Sequence, residues 1–375
     1  MTNLSEKFCF DLAEKSLSNV PISKADARRV LNDNEIALID ILQAGFKVRR
    51  AHFNNMVSIH IINNAKNGNC PEDCAYCVQA ASSDSPISDY PIKSQAEILA
   101  EAKDAYEKGA YRYCMVFSGR GPSKGRVKKI AAIIREIKEK YPIQVCLSPG
   151  LIDESDAYTL KAAGLDRLNH NLNTSERFYE KICTTHGYQD RLNTLNYAKN
   201  VGLETCSGII VGMGESSEDV VEVAYKLKDL NTPSIPVNFY MALDGAPLKD
   251  TLNGKSQLTP NYCLRVLSLM RFVNPSAEIR MAAGREIHLR SMQVMGLYPA
   301  NSLFMEGYLN TVGTKIHDTL QMIKDGGFEI QSDKMLENLQ ASERINMKLK
   351  SETDHSEPPI FKDLSLLRPT LVSDS

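Results

Sequence analysis

An α/β chain closed into a (β/α)8 barrel of TIM type is the fold this sequence predicts, and three observations predict it. Eight short apolar runs, at 57–62, 112–117, 143–147, 167–171, 204–211, 235–240, 278–281 and 302–304, read as strands. Helical stretches separate them, and alternation of strand with helix forces a parallel sheet. The helix-to-strand junctions repeat one grammar, a glycine at 109, 164 and 202 stopping the helix just before the next strand. Eight such units suit closure into a barrel, with a doubly wound open sheet as the structural alternative.

Taken in order, residues 1–48 read as a helical extension. The stretch 22–31 is followed by Ile36, Leu38, Ile39, Ile41 and Leu42 at helical spacing. It is expected to cover one end of the main domain and carries no chemistry. The barrel is assigned to 49–330. Its first helix opens on Ser94 with Glu97 three residues on, a capping box, and presents Ile98, Leu99, Ala102, Ala105 and Tyr106 as an apolar stripe. A later helix opens on Thr259 followed by Pro260, a cap residue with proline at the first helical position. Lys128, Lys129 and Arg135 fall on a solvated helix face. Residues 331–375 read as a polar, mobile tail, in which 364–372 is the part apolar enough to dock.

Composition excludes several classes. With 43% apolar and 24% charged residues the chain is of ordinary globular type, and a net charge of −2 gives no pull toward nucleic acid or membrane. The first ten residues include Glu6 and Lys7 and lack the apolar core of a secretory signal. No apolar run approaches the ~20 residues of a membrane helix. The expected location is cytoplasmic, where nine cysteines are not a disulfide framework and clustered thiols read as ligands.

Three of them, Cys70, Cys74 and Cys77, stand within eight residues in a turn-rich loop after the first strand. Three thiolates suit an iron–sulfur cluster, which takes four ligands and so keeps one iron open for chemistry. A zinc knuckle with a distant fourth ligand stays possible on spacing alone. In a barrel, reacting groups stand on the strands or on the loops that follow them. Strand two carries Cys114, strand three Cys146, strand five Cys206 and strand seven Arg280. A lone strand cysteine is ordinarily a small buried hydrophobe. Three on separate strands can converge in the lumen, where an arginine would balance thiolate charge. Asn169, Asn171 and Asn173 alternate at strand four and are expected to face one side, with Asn238 on strand six. Their amides both donate and accept, which suits a neutral polar ligand such as a urea or a ribose. Asn173 also fits an ordinary turn at a helix start. Gly212, Gly214 and Glu215 follow strand five as a tight turn that a ligand can approach. The turn fails as a dinucleotide fingerprint because Ser217 replaces the third glycine. His60 and His170 read as structural.

Four segments carry a resemblance: NCPEDCAYCVQ at 69–79, NHNLNTS at 169–175, CSGIIVG at 206–212 and RMAAGRE at 280–286. The first resembles the cluster loop of radical S-adenosylmethionine enzymes. The four together, with Cys114 and Cys146, resemble the biotin synthase family over nearly the whole core. The resemblance implies a [4Fe–4S] cluster on Cys70, Cys74 and Cys77, with S-adenosylmethionine on its open iron. It implies a [2Fe–2S] cluster on Cys114, Cys146, Cys206 and Arg280 that donates sulfur. Asn171 and Asn173 would contact the cofactor's ribose, near Tyr76 and the turn of Gly212, Gly214 and Glu215. Asn169, Asn171 and Asn238 would bind the ureido ring of dethiobiotin, with Asn310 and Thr311 near its carboxylate. No side chain is assigned as a catalytic acid, base or nucleophile. A homodimer and a flavodoxin-like or ferredoxin-like electron donor are also implied. Asn173 stands where some members have Asp, and Asn310 where Thr is common. The stretch 115–120 differs from the small-residue run of some relatives. Arg280 is kept, against variants with Cys there and a larger second cluster. Two other readings stay open: a radical enzyme acting on another small molecule, its strand cysteines merely core, and a zinc or electron-transfer module.

Overall fold

The computed structural model describes residues 4–252, 258–332 and 334. Three helices come first: α1 (Leu4–Leu17), α2 (Lys24–Asn32) and α3 (Leu38–Phe53). Buried arginines and hydroxyls fix them to the barrel rather than to one another alone. Arg49 donates to the carbonyls of Ala300 and Met56 at 3.0 and 2.7 Å, just ahead of β9 (Ser302–Met305) and at the first residue of β1 (Met56–Lys66). Arg265 reaches the carbonyls of Val30 and Ile36 at 2.8 and 2.6 Å. The extension therefore closes the end where the strands begin, opposite the loops that carry the cysteine motif.

From β1 the chain alternates as expected. It runs through α4 (Gln95–Glu107), β2 (Arg112–Phe117), α5 (Lys124–Lys140), β3 (Gln144–Ser148), α6 (Glu154–Ala162) and β4 (Arg167–Asn169). It continues with α7 (Glu176–Tyr179), α8 (Tyr188–Asn200), β5 (Glu204–Cys206), β6 (Ile209–Val211), α9 (Ser217–Asp229) and β7 (Ser234–Phe239). Helices α10 (Pro247–Thr251) and α11 (Pro260–Val273), strand β8 (Glu278–Met281) and helix α12 (Arg285–Leu289) lead to β9. The sheet runs β1-β2-β3-β4-β5-β7-β8-β9, all parallel, and β9 pairs back onto β1. That closes the barrel. A hairpin of β10 (Gly307–Tyr308) and β11 (Thr311–Val312) follows, then α13 (Ile316–Asp325) and a short β12 (Glu329–Ile330) beside the start of β1.

Local chemistry explains the boundaries. Ser94 and Glu97 form the expected capping box, and Thr259 caps α11 with Pro260 behind it. Gly109, Gly164 and Gly202 have φ of +75°, +90° and +74°, the left-handed region that ends a helix without a Cβ clash. Lys128, Lys129 and Arg135 are exposed on α5.

Two strands depart from expectation. The expected strand 204–211 is two pieces, because Ser207 and Gly208 leave the ladder. A side chain at 208 would place its Cβ 1.9 Å from the Pro236 carbonyl. Register survives the break, with Cys206 opposite Ser234 and Ile209 opposite Val237. The expected strand 167–171 stops at Asn169, and the chain turns through Asn173 at φ +70° before bridging to Ile209. Strand alternation therefore does not set the facing of Asn171 and Asn173; this turn does. Of the expected tail, 331, 332 and 334 are described, and the rest, with 364–372, lies outside the described residues.

The apolar core fills the layer between strands and helices. A separate small group of Cys114, Cys146, Ala282 and Phe304 occupies the lumen.

Candidate active site

The cysteine loop leaves β1 through Gly68 and Asn69, both at positive φ, and is held by hydrogen bonds to distant segments. Ala75 N–H donates to the Ile182 carbonyl at 2.8 Å, and Leu248 N–H to the Ala75 carbonyl at 2.9 Å. Asp73 accepts from the backbone N–H groups of Thr184 and Thr185 at 3.0 and 3.2 Å and from both threonine hydroxyls. Burial works to raise its carboxyl, and these donors hold it well below the usual carboxylate range. Asp73→Ala should cost about 1–2 kcal/mol of stability, a fraction of the summed bonds because the site is partly wet. It should also lower cluster retention after anaerobic desalting. Unchanged melting and iron content would show that Asp73 does not pin the loop.

Cys70, Cys74 and Cys77 line one cavity of about 290 Å³. Burial pushes the Cys77 thiol up to about 11, with the neighbouring Cys70 adding to the shift. The Cys74 thiol is raised too, by its hydrogen bond with Cys183 and by burial. Thiols that resist ionisation beside one another want a cation among them, so this donor set fits a metal cluster.

The strand cysteines converge deeper in the lumen. Cys114 lies directly opposite Cys146, and Cys206 opposite Asn169. The Cys146 thiol hydrogen-bonds with both Cys114 and Cys206 and is raised to about 12, chiefly by Cys114. Arg280 Nη1 lies 3.7 Å from Cys206 Sγ, and its Nη2 donates to Ser234 Oγ at 2.9 Å. The expected set of three thiols and one guanidinium is therefore contiguous. Burial works to raise the Cys114 thiol, but the bond from Cys146 and the charges of Arg280 and Arg112 bring it below its ordinary value. Arg280 Nε and Arg112 Nε and Nη1 are buried without a hydrogen-bond partner. Orphaned guanidinium donors beside thiols suit an anionic iron–sulfur group.

Beneath the sulfurs sits a buried charge network that the sequence did not flag. Glu278 takes Arg280, Arg167 (2.8 Å), His60 Nε2 (3.1 Å) and the Ser302 hydroxyl (3.0 Å). Burial alone would raise its carboxyl; Arg280, His60 and Arg167 hold it well below the usual range. His60, also 3.8 Å from Cys114 Sγ through Nδ1, is driven down to about 3 by burial and by the charge of Arg280. Burial likewise keeps His170 neutral.

Asn169, Asn171, Asn173, Asn238, Asn310 and Thr311 all line the larger cavity, together with Tyr76. Asn169, Asn171 and Tyr308 also line the small cavity at Cys114, Cys146 and Arg280, so the two share a wall. Asn169 Nδ2 donates to Cys206 Sγ at 3.2 Å, and Asn173 Nδ2 to Tyr76 Oη at 2.5 Å. Asn238 spends one donor on the Ile209 carbonyl and one acceptor on Ala283 N–H. Asn310 Oδ1 accepts from Asn67, while its buried Nδ2 has no partner. Gly212, Gly214 and Glu215 stand outside this lining. The Glu215 carboxylate turns back to accept from the amides of Gly212 and Met213, both at 2.7 Å, and burial raises it. Two further groups at the cavity, His186 and Arg191, gave no sequence signal, because their partners lie on other elements. Glu72 could have been found as one of the two acidic residues inside the cysteine motif, beside Asp73.

Comparison with known proteins adds an independent line. Residues 66–227 match the Radical SAM superfamily, and 236–329 the Biotin and Thiamin Synthesis associated domain. The biotin synthase of Magnetococcus marinus is 54% identical over 320 residues, 85% of this chain and 98% of that protein. The biotin synthase of Acaryochloris marina is 51% identical over 85% of this chain and 91% of its own length. Among solved structures, methylornithine synthase superposes with a TM-score of 0.74 at 19% identity, covering 88% of this chain and 99% of its own, a likeness of fold. With both matched domains in one closed barrel and identity of this level across the core, the chain belongs to the biotin synthase family, radical enzymes that use S-adenosylmethionine and a [4Fe–4S] cluster.

Proposed function

We propose that this chain inserts sulfur into dethiobiotin, with each cluster held by its own thiol set. When bound, S-adenosylmethionine on the first cluster, each molecule cleaved with one electron from the external donor, would supply one 5′-deoxyadenosyl radical for each of two unactivated C–H bonds, and the second, a [2Fe–2S] cluster, would supply the sulfur that closes the ring. Cys70, Cys74 and Cys77 hold the first, and Cys114, Cys146, Cys206 and Arg280 the second. Asn171, Asn173 and Tyr76 orient the cofactor's ribose, with the turn of Gly212, Gly214 and Glu215 supporting that side through Ile210. Asn169, Asn171 and Asn238 take the ureido ring. Asn310, through its unpartnered Nδ2, and Thr311 take the carboxylate. The hairpin residue Tyr308 helps keep water from the space between. Residues 49–330 form the catalytic barrel and 1–48 its cover. The protein works in the cytoplasm as a homodimer and draws electrons from a flavodoxin-like or ferredoxin-like donor. Among the described residues no helix is long and apolar enough to cross a membrane.

One observation carries the reading. Cys114, Cys146, Cys206 and Arg280 are contiguous, and the cavity lined by Cys114, Cys146 and Arg280 shares Asn169 and Asn171 with the one lined by the motif cysteines. A substrate in the shared wall region would touch both. The test is iron, sulfide and Mössbauer analysis of anaerobically reconstituted protein, followed by a product assay with dethiobiotin. Two clusters per chain, with biotin formed as the second is consumed, are expected. One cluster and cofactor cleavage without biotin would remove the sulfur-donor assignment.

A further inference from the structure

We infer that Arg112 is a positioning residue for the lumen cluster, the buried cation whose counter-ion is the iron–sulfur group held by Cys114, Cys146 and Cys206. The inference deepens the sulfur-donor reading and rests on it.

Side chains alternate along a strand, so Arg112 shares a face of β2 with Cys114, two residues nearer the strand's start. It is 2% exposed, and its Nε and Nη1 have no hydrogen-bond partner. The ladder sets it opposite His60 on one side and Gln144 on the other, and neither side chain is a carboxylate. The guanidinium carbon lies 5.6 Å from the centre of the Tyr111 ring, a π face but no anion.

The charges of the lumen do not balance without a further anion. Three guanidiniums are buried there, those of Arg112, Arg167 and Arg280. Arg280 is matched by Glu278, and Arg167 by Glu278 and Glu204. Glu278 thus serves two cations already, and among the described residues no ion pair includes Arg112. An uncompensated buried charge is costly to a fold. Two residues along the strand stands Cys114, directly opposite Cys146, and the positive field of Arg112 reaches both sulfurs. Two ferric ions, two sulfides and three thiolates together are net negative, so that group supplies the anion the strands lack.

Arg112 is not a further ligand. Arg280 Nη1 lies 3.7 Å from Cys206 Sγ, whereas among the described residues no hydrogen bond joins Arg112 to a thiol. It acts through its charge, and that predicts a reversal of sign. A residue that merely fills the core destabilises the protein when replaced, with or without cluster. A counter-ion of the cluster weighs against the cluster-free fold and supports the loaded one. Its charge also favours the reduced, more negative cluster, which raises the potential.

The test compares full-length parent, Arg112→Met and Arg112→Lys, each cluster-free and anaerobically reconstituted, with the lumen cluster counted by Mössbauer spectroscopy. Arg112→Met, unbranched and uncharged, is expected to melt no lower than the parent when cluster-free. It should bind the [2Fe–2S] cluster roughly 10–100-fold more weakly in a chelator competition. The cluster that it retains should titrate at a more negative potential than the parent's. Arg112→Lys keeps the charge without the planar fork and is expected to recover most of both losses. A lower melting point of cluster-free Arg112→Met, or its failure to fold, overturns the inference, because Arg112 would then be a structural support. Parent-like affinity and potential in Arg112→Met overturn it as well. A parent that reconstitutes with no [2Fe–2S] cluster would instead remove the sulfur-donor reading, and the inference with it.

Discussion

Cys206→Ala should abolish biotin formation while the enzyme still cleaves S-adenosylmethionine. Cys206 sits where the lumen contacts cross. Its sulfur meets Cys146, Asn169 Nδ2 at 3.2 Å, Ser234 Oγ at 3.5 Å and Arg280 Nη1 at 3.7 Å. Loss of outer-sphere partners alone costs metal sites roughly 10–100-fold in affinity or activity, so loss of a thiolate ligand should reduce product by more than about 100-fold. The loop of Cys70, Cys74 and Cys77 is anchored elsewhere, on 182–185 and Leu248. Methionine and 5′-deoxyadenosine should therefore still accumulate when dethiobiotin is supplied. Removing one buried sulfur leaves a small void, on the order of 1–2 kcal/mol, which the fold can absorb. Chromatography of both products after a single anaerobic incubation separates the outcomes. Biotin at the parent rate would eliminate Cys206 as part of the sulfur source, and loss of cofactor cleavage in a folded protein would mean that the two thiol sets are not independent.

What the sequence revealed follows from how far each signal reaches along the chain. Helix starts at Ser94 and Thr259 and stops at Gly109, Gly164 and Gly202 are written within a few residues, so the barrel was legible. The thiols were legible because softness of ligand and parity on a strand are local properties, and Cys114, Cys146 and Cys206 meet as strand order requires. Lengths were less so. Nothing in 204–211 announces that the backbone must leave the ladder at Gly208, because the reason is the Pro236 carbonyl on the next strand. The turn at 212–215 looked open to a ligand, yet Glu215 occupies its amides. Arg191, His186, Cys183 and Glu278 each have at least one partner well away along the chain or on another element. Alone, each reads as a helix-face charge, a loop residue or a strand oddity.

Glu278→Ala should be the most damaging change outside the ligand set, and more so without the lumen cluster than with it. The carboxylate is the shared anion of Arg280 and Arg167 and lies 3.1 Å from His60 Nε2, all buried. Removing one partner of a buried ion pair typically costs 3–5 kcal/mol, because the other charge is left uncompensated. Arg167 keeps Glu204 at 2.8 Å and Arg280 keeps Ser234 at 2.9 Å, so about 3 kcal/mol is the expected loss for the cluster-free chain. An anionic cluster beside Arg280 would restore part of the balance, so the loaded variant should lose less. The pH profile supplies a second check. Glu278 is held low in the fold, so its contribution is complete above the ordinary carboxylate value and fades as pH falls below about 4.3. His60 is held low as well, from 6.5 to about 3, so the unfolded chain binds its proton first. Stability is then lost as pH falls from 6.5, at about 1.4 kcal/mol per pH unit for each such histidine, until about pH 3. Glu278→Ala should keep this histidine slope and lose the carboxylate step. Denaturant unfolding of parent and variant, each with and without cluster, between about pH 2.5 and 7.5 would read all of these terms. Equal losses in loaded and cluster-free protein would mean that Arg280 gains nothing from the lumen cluster, and the guanidinium would leave the proposed ligand set.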